Sequence, residues 1–437
     1  MKRYKLLSIL MVCIIVMSAC STGSRGSHDK ELPKEDHAKE ITIEVEEYGT
    51  NFYANAAKKF EKETGVKVNV INNIKMGQSN EELMESSTKN TDRIQAELMA
   101  GKGADLYAGI YLDFDKIGKN KHLCNLANWT AKEPIFSNDA YYMNVLKSGF
   151  ENGDAYSLPL FIGFYALGST IEVPELEGKS LNWEKFFALT KGLKRNGVLY
   201  GLTDQLLFDR RFQDRYDHFV NEKEKTQTLN SQDMIKLLEQ CKEWSTEGLC
   251  IPCDAENFTD LWSKAFFQET GGGDMDMLVN FRFNNPYLKD EPYIYDIPSD
   301  TDKNDKSNKV MPTDLICINA ASPYKATAWK FVKFLLREDV QATGHYTPVN
   351  RKAADKHVKK NLEETIGFYN LKVDGNKIIK ESEAILNNAN HISSNIYPSE
   401  IDNIVLEEAK RYFKSEITAD AAAKNMADRA GLYFKEE

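Results

Sequence analysis

Beyond the first twenty residues the chain carries five cysteines, and two of them, Cys250 and Cys253 in Cys-Ile-Pro-Cys, have the spacing of a dithiol redox pair. That chemistry needs a helix N-terminus behind a strand to lower the thiol pKa. Here the motif follows Glu247-Gly248-Leu249 in a loop, which favours a structural or disulfide role, and without a second pair it makes no zinc set. Asp300-Thr-Asp302-Lys-Asn304 opens like a calcium loop, yet Asp305 stands where the sharp turn needs Gly and Met311 where the bidentate Glu belongs, so a solvated loop is expected. Gly101-x-Gly103 is not followed by Gly-Lys-Ser/Thr, and neither H-E-x-x-H nor G-x-S-x-G occurs. Tyr141-Tyr142 suggests the tyrosine pair of ferric-ion sites but falls early in the chain on an expected helix. Paired carboxylates for glycoside hydrolysis depend on a separation in space that sequence does not give. A better-supported kit is Tyr48, Tyr111 and Asp113, which combine aromatic faces for C–H surfaces with a carboxylate for hydroxyls, as a sugar site requires.

Those three residues gain meaning from the elements before them. Ile41, Ile43 and Val45 alternate with polar residues as a half-buried strand, Tyr53, Ala56, Ala57 and Phe60 recur at helical spacing up to Gly65, and Val66, Val68 and Val70 give a second strand. This is a βαβ unit with parallel strands and a right-handed crossover. Ile94 to Met99 reads as a helix closed by Gly101, and Asp105 to Gly109 as a strand. Tyr156 to Leu167 is a long apolar strand, and helices are expected at about 182–194, 231–246 and 258–269, the last stopped by Gly271-Gly272-Gly273. Met275 to Val279 and Ile316 to Ala320 are strand-like, Asp300 to Lys309 is a charged loop, Ser322-Pro323 caps a helix to about Leu336, and two more helices fill the end. The class is α/β. Open parallel sheets bind ligands beyond the carboxyl ends of their strands. That rule selects the loops at 46–51, with Tyr48, and 110–115, with Tyr111 and Asp113.

The start has a basic n-region (Lys2, Arg3, Lys5), an apolar run from Leu6 to Met17 too short to span a bilayer, and Ser18-Ala19-Cys20. This resembles a bacterial lipobox, with Met17 where Leu is usual. The resemblance implies a signal peptide over 1–19 and a lipid, such as palmitate, on Cys20 at the outer face of the cytoplasmic membrane. Residues 20–40 then form a flexible polar tether. Removing 1–19 takes the formal charge from −10 to −13. So acidic a chain is poorly suited to nucleic acid, which needs clustered Lys and Arg. No cofactor is implied. About 400 residues remain, enough for two or three cores by length.

Six segments, in order, resemble the extracellular solute-binding proteins of family 1, the maltose-binding type: Lys58 to Val68, Ala100 to Leu106, Tyr156-Ser157-Leu158-Pro159, Leu181-Asn182-Trp183-Glu184, Ile318-Asn319-Ala320-Ala321-Ser322-Pro323, and Pro348 to Ala353. In the second of these, Ala104 replaces the usual proline. The resemblance implies a two-lobed type II periplasmic-binding-protein fold with a hinge and an interlobe ligand cleft. Lobe 1 would comprise 41–157 plus 312–360, and lobe 2 would comprise 158–311 plus 361–437. Met277-Leu278-Val279-Asn280 resembles the strand before a ligand-stacking Trp, which places Phe283 at that position and Arg282 beside it as a donor to a hydroxyl or carboxylate. Tyr346 and Tyr397 fall in segments that reach the cleft in this family. Trp262 favours core packing. The implied function is that of a monomeric, non-enzymatic, lipid-anchored substrate-binding component of an ABC importer, which captures a carbohydrate, most simply an oligosaccharide, and delivers it to permease subunits. A polyamine, metal or peptide remains an alternative ligand. Two rival functions also stay open: a surface glycan hydrolase, and the ligand-binding input of a membrane sensor kinase.

Overall fold

The computed structural model describes residues 31–46, 51–74, 80–109, 112–150, 153–169, 171–176, 181–192, 199–200, 202–251, 267–272, 293–300, 309–344, 346–369, 375–388, 391–392 and 400–436. Strand β1 (Glu40–Val45) buries Ile41, Ile43 and Val45 on one face. Helix α1 (Phe52–Thr64) covers that face with Phe52, Tyr53, Ala56, Ala57 and Phe60. It ends at Gly65, whose φ of 75° lets its N–H reach the Glu61 carbonyl. β2 (Lys67–Ile71) returns parallel to β1 with Ile43 opposite Val70, completing the expected βαβ unit. The next helix, α2 (Asn80–Met99), is far longer than the 94–99 read from periodicity. The opposite face of β1 explains why, because it carries Glu44 and Glu46, both buried beneath this helix. A helix that meets the sheet with Ser87, Asn90 and Arg93 shows no apolar stripe there.

β3 (Leu106–Ala108) pairs parallel with β1 on its other edge. The principal elements after it are α3 (Phe114–Lys119), β4 (Leu158–Ser169), α4 (Trp183–Lys191), β5 (Leu199–Tyr200), α5 (Asp204–Asp214), α6 (Gln232–Thr246), β6 (Cys250–Ile251), β7 (Phe267–Gly272), β8 (Tyr293–Tyr295) and β9 (Lys309–Ile318). Then come α7 (Lys325–Leu335), β10 (Thr347–Pro348), α8 (Arg351–Tyr369), α9 (Gly375–Asn388), β11 (His391–Ile392), α10 (Glu400–Phe413) and α11 (Ala419–Glu436). Among the described residues these strands make one sheet in the order β2-β1-β3-β9-β4-β7-β5-β6, with β8 and β10 also on β4 and β11 on β9.

Strand β4 joins two cores. Its Leu158, Leu160, Phe161 and Ile162 lie in the first, with β1, α1, α7 and Trp129, whereas Leu167 lies in the second, with Trp183, Phe186, Phe208, Phe212, Trp244 and residues of α10 and α11. The pairing changes at the same place. On one edge β9 covers Leu158 to Phe164 before β8 takes Leu167 to Ser169; on the other, β10 at Phe161–Ile162 gives way to β7 from Phe164 onward. This is the two-lobed α/β architecture, and the chain passes between lobes where β4 changes partners.

Several expectations are corrected. Residues 267–269 are strand rather than the end of a helix, because Phe267 is buried in the second core and β7 zips antiparallel along β4, with Gly271 and Gly272 inside it. β9 begins at Lys309 rather than Ile316. Pro312 and Asp314 are poor strand formers, but a proline is tolerated where β9 has β4 on one side only. Four long helices, not two, fill the end among the described residues; the buried side chains on α8 and α9 include Ala353, Ala354, Val358, Leu362 and Leu386. Leu386 sits in the first core, and Asn144 Nδ2 donates to its carbonyl at 2.8 Å, so α9 packs with lobe 1 although 361–437 was expected in lobe 2.

The tether also ends earlier than expected. The Asp36 carboxylate accepts from the Ala326 and Thr327 N–H groups at 2.9 and 3.1 Å and from the Thr327 hydroxyl, capping α7, while Ala38 is buried. Ser322, expected to cap that helix, instead accepts from Tyr324 N and donates to Asp105. Tyr141 and Tyr142 precede a short helix rather than lying on one. Tyr141 donates to the Leu336 carbonyl, and Tyr142 lies 4.2 Å beneath the Arg351 guanidinium, so both serve the core.

Candidate ligand-binding site

Two of the segments that carry the family resemblance prove to be halves of one lock. Asp105 Oδ2 accepts from Thr42 N at 2.8 Å, and its Oδ1 accepts from Ser322 Oγ at 2.6 Å. Asn319 Nδ2 donates to the carbonyls of Lys102 and Ala104. Gly103 leaves room for the Tyr107 hydroxyl, 2.1 Å from where a Cβ would sit, and that hydroxyl accepts from Ala104 N. Together they pin the turn before β3 to the end of β9 and so fix the register of β3 beside β1, two parallel strands whose carboxyl ends lie at the end far from the lock.

Those carboxyl ends converge. Glu46 N donates to the Ala108 carbonyl at 3.3 Å and Gly109 N to that of Leu315 at 3.1 Å. Beneath them Glu46 is held by Ser87 Oγ at 3.0 Å and Asn90 Nδ2 at 3.2 Å. β9 runs antiparallel to β3 with Ile316 opposite Ala108, so Asp314 lies just beyond the β3 end. Asp314 has a φ of 49°, left-handed within a strand, and its Oδ1 lies 3.1 Å from where a Gly109 Cβ would be. Sequence reading did not single out Asp314 or Gly109. The available signal was an aspartate interrupting an otherwise strand-like run.

Tyr48 and Tyr111 fall outside the described residues, but their loops leave from Glu46 and Gly109, which this geometry makes neighbours. Asp113 is the exposed N-cap of α3, accepting from Lys116 N at 2.9 Å. Tyr346 is half-buried against the first core, its ring 6.5 Å from that of Phe161 on β4. It therefore sits beside the strand that joins the lobes. Arg282, Phe283, Tyr397, Trp262 and Cys20 all lie outside the described residues.

A polar cavity of about 290 Å³ lies between β1, β2 and α2. Its acids have partners: Glu44 and Glu97 bond Arg93, Asn73 adds a bond to Glu44, and Asp105 belongs to the lock above. That makes it a water-accessible seam of paired charges rather than a receptor for a ligand. Cys250 is a free, buried thiol rather than a disulfide partner, as are Cys241 and Cys317, while the buried Cys124 thiol donates to the Asn319 carbonyl; burial pushes the Cys241 thiol up to about 12, against the opposing pull of Arg211. Cys253 is outside the described residues. Asp300, at the head of the expected solvated loop, is instead buried against Arg211. Among the described residues no group of three acidic, histidine or cysteine side chains is placed to hold a metal, and no helix is long and apolar enough to cross a membrane.

The fold and the convergent strand ends define a two-lobed binding-protein architecture. The chain belongs to the bacterial extracellular solute-binding proteins, whose family model matches residues 55–365. Solved structures share the fold at low identity. An extracellular solute-binding protein family 1 member from Alicyclobacillus acidocaldarius subsp. acidocaldarius DSM 446 matches with a TM-score of 0.58 and 14% identity, over 92% of this chain and 100% of that one. An ABC transporter solute-binding protein from Thermotoga lettingae TMO, bound with alpha-D-tagatose, matches with a TM-score of 0.55 and 16% identity, over 91% and 100%. A cyclo/maltodextrin-binding protein complexed with maltotetraose matches with a TM-score of 0.54 and 16% identity, over 91% and 98%. No curated protein matches the sequence.

Proposed function

We propose that this chain is the substrate-binding lipoprotein of an ABC importer, holding a carbohydrate between its lobes and presenting the closed form to the permease. The observation that carries the reading is the family match over 55–365 on a chain whose two cores share β4. Proteins of the same fold hold alpha-D-tagatose and maltotetraose, which favours a sugar here. In this reading Tyr48, Tyr111, Asp113 and Tyr346 form the lobe 1 wall, and Arg282, Phe283 and Tyr397 form the wall of lobe 2. Lobe 1 is 41–157 plus 312–360 with α9 added, and lobe 2 takes the remainder of 158–437. Binding works without covalent chemistry: one lobe takes the ligand, and contacts to the second favour closure. Thermal unfolding against a glycan panel tests this. A ligand at about 100 times its Kd adds about 2.7 kcal/mol of stability, read as a raised Tm. No shift with any sugar, beside a shift with a metal, polyamine or peptide, refutes the carbohydrate.

Lipid on Cys20 and the polar segment that follows it would keep the binder within reach of its permease; stable anchoring takes more than one acyl chain. Cys20→Ala is expected to release a folded, ligand-competent protein into the medium, measured by fractionation. Retention at the membrane would place the anchor elsewhere.

A further inference from the structure

We infer that the pole of lobe 1 at the amino ends of β1 and β3 is a membrane-resting face, fitted to a lipid surface that bears anionic headgroups; this rests on the lipid-anchored reading above. Three turns meet there. A Cβ on Gly101 would lie 3.9 Å from that of Ala321, Asn319 Nδ2 donates to the Lys102 carbonyl at 2.9 Å, and Ala320 N donates to the His122 carbonyl at 3.0 Å. What these turns present to water is apolar and basic. Met99 is 66% exposed at the end of α2 and Tyr324 is 38% exposed ahead of α7, with Lys102, Lys121 and Pro323 exposed beside them. Lys121 stands at φ 65° just past α3, its N–H on the Gly118 carbonyl at 2.8 Å, a position that ordinarily takes glycine or asparagine. Acids close by are engaged: Glu97 with Arg93, Glu40 with Lys67, Asp105 in the lock and Asp36 under α7. A chain of net charge −10 thus carries a local basic surface with a tyrosine and a methionine on it. Ammonium groups near anionic headgroups and an aromatic ring at headgroup level are what such a surface takes.

Where the tether joins the folded body selects a membrane over a soluble partner. Asp36 is seated on the N–H groups of Ala326 and Thr327, just past Tyr324, so the chain that leads back to Cys20 leaves lobe 1 at this same pole. Cys20 and Asp36 are 16 residues apart, a reach of about 55 Å at full extension. An acyl anchor on that length keeps the face at high local concentration beside the bilayer, where a patch too weak to bind from solution is occupied. The arrangement also has a direction. β1 has six residues, so the strand ends that would receive a ligand lie about 20 Å from this pole, turned away from the lipid and toward incoming solute. The same tether is long enough for the lobe to leave the surface and turn those ends to a permease.

The acylated protein tests this, incorporated into vesicles of phosphatidylcholine alone or mixed with phosphatidylglycerol and treated with a water-soluble amine reagent. Labelling of Lys102 and Lys121, read by mass spectrometry, is expected to be slower by at least about fivefold on the anionic vesicles, the preference that one basic side chain near such a surface supplies. Lys236 and Lys424, exposed on helices of lobe 2, should label alike on both. High salt should erase the difference. Peroxide oxidation of Met99 should also slow on anionic vesicles in the wild type, and return to its phosphatidylcholine rate in the double variant Lys102→Ala, Lys121→Ala. Equal labelling of Lys102 and Lys121 on the two kinds of vesicle overturns the inference and leaves the anchor intact. Slowing by soluble polyglutamate but not by anionic vesicles overturns it in favour of an acidic polymer. A mature protein that carries no acyl chain overturns the anchoring reading and this inference with it.

Discussion

Each lobe carries an arginine–carboxylate pair, and the two are built differently. In lobe 1, Arg93 pairs with Glu44 on the polar face of β1; the glutamate side chain is 4% exposed, but the arginine is 36% exposed. In lobe 2, Arg211 and Asp300 are 2% and 10% exposed, with Nε to Oδ2 at 2.6 Å. Arg211 also donates to Gln240 Oε1 at 3.1 Å and stacks 4.8 Å over Trp244, while Asp300 accepts from Trp183 N. The first pair lines a seam open to water, and the second closes the corner where α4, α5 and α6 meet the segment leading toward β9. A pair sealed from water depends on its partner far more than one that water can reach, since removing either member leaves an uncompensated buried charge.

That contrast can be broken at its stronger end first. Arg211→Ala should cost about 3 to 5 kcal/mol by stranding Asp300, seen as a large fall in Tm. Arg211→Met, which fills the space but not the charge, should fall short of wild type nearly as far unless Asp300 is neutralised too. Arg93→Ala should cost about 1 to 2 kcal/mol, because Asn73 still donates to Glu44 at 2.8 Å and water can enter. Equal losses in these two alanine variants would show that burial does not set the difference.

Asp36 sharpens the comparison, as a carboxylate held by a helix end rather than by an arginine. Asp36→Ala should cost about 1 kcal/mol, the usual value of a helix cap. Burial alone would raise the Asp36 pKa, but the Thr327 hydroxyl and the N–H groups of Thr327, Ala38 and Ala326 outweigh it and hold the carboxylate below its ordinary range. Its stabilising contribution is therefore complete above the unfolded carboxylate value, about pH 4, and is lost as pH falls through the depressed folded value. Unfolding measured from pH 6 down to pH 2 should show an acid limb that is shallower in Asp36→Asn. An unchanged limb would mean that the cap does not titrate as folded. Glu408, held below its ordinary range by Asn425, Arg429 and Arg411 despite burial, adds to the same limb from lobe 2.

Much of lobe 1 was legible because it obeys simple periods: β1 and α1 bury what alternation and helical spacing said they would, and β2 forms as expected but buries only Val68, with Val70 half-buried and Val66 just before the strand. The failures share one cause. α2 was cut short because its inner face meets glutamates, β9 because Pro312 and Asp314 are poor strand residues, and β7 because an apolar run ending in glycines fits helix or strand equally. In each case a partner distant in sequence decided the matter. The site was legible only in part: the loop rule found the two strand ends that converge, but not the residue on β9 that comes to meet them.

By itself the sequence determined the class of protein, an α/β solute-binding protein with its family signatures in order and aromatic residues following the first and third strands. Local pattern suffices for this because side-chain period and turn chemistry are properties of neighbouring residues. Only the tertiary structure decided that Asp105, Asn319 and Ser322 form one lock, that Asp36 belongs to the folded body, and that Asp314 stands over Gly109. Those facts depend on pairings across 200 or more positions, such as Asp105 with Ser322, and on a strand register that no local pattern encodes.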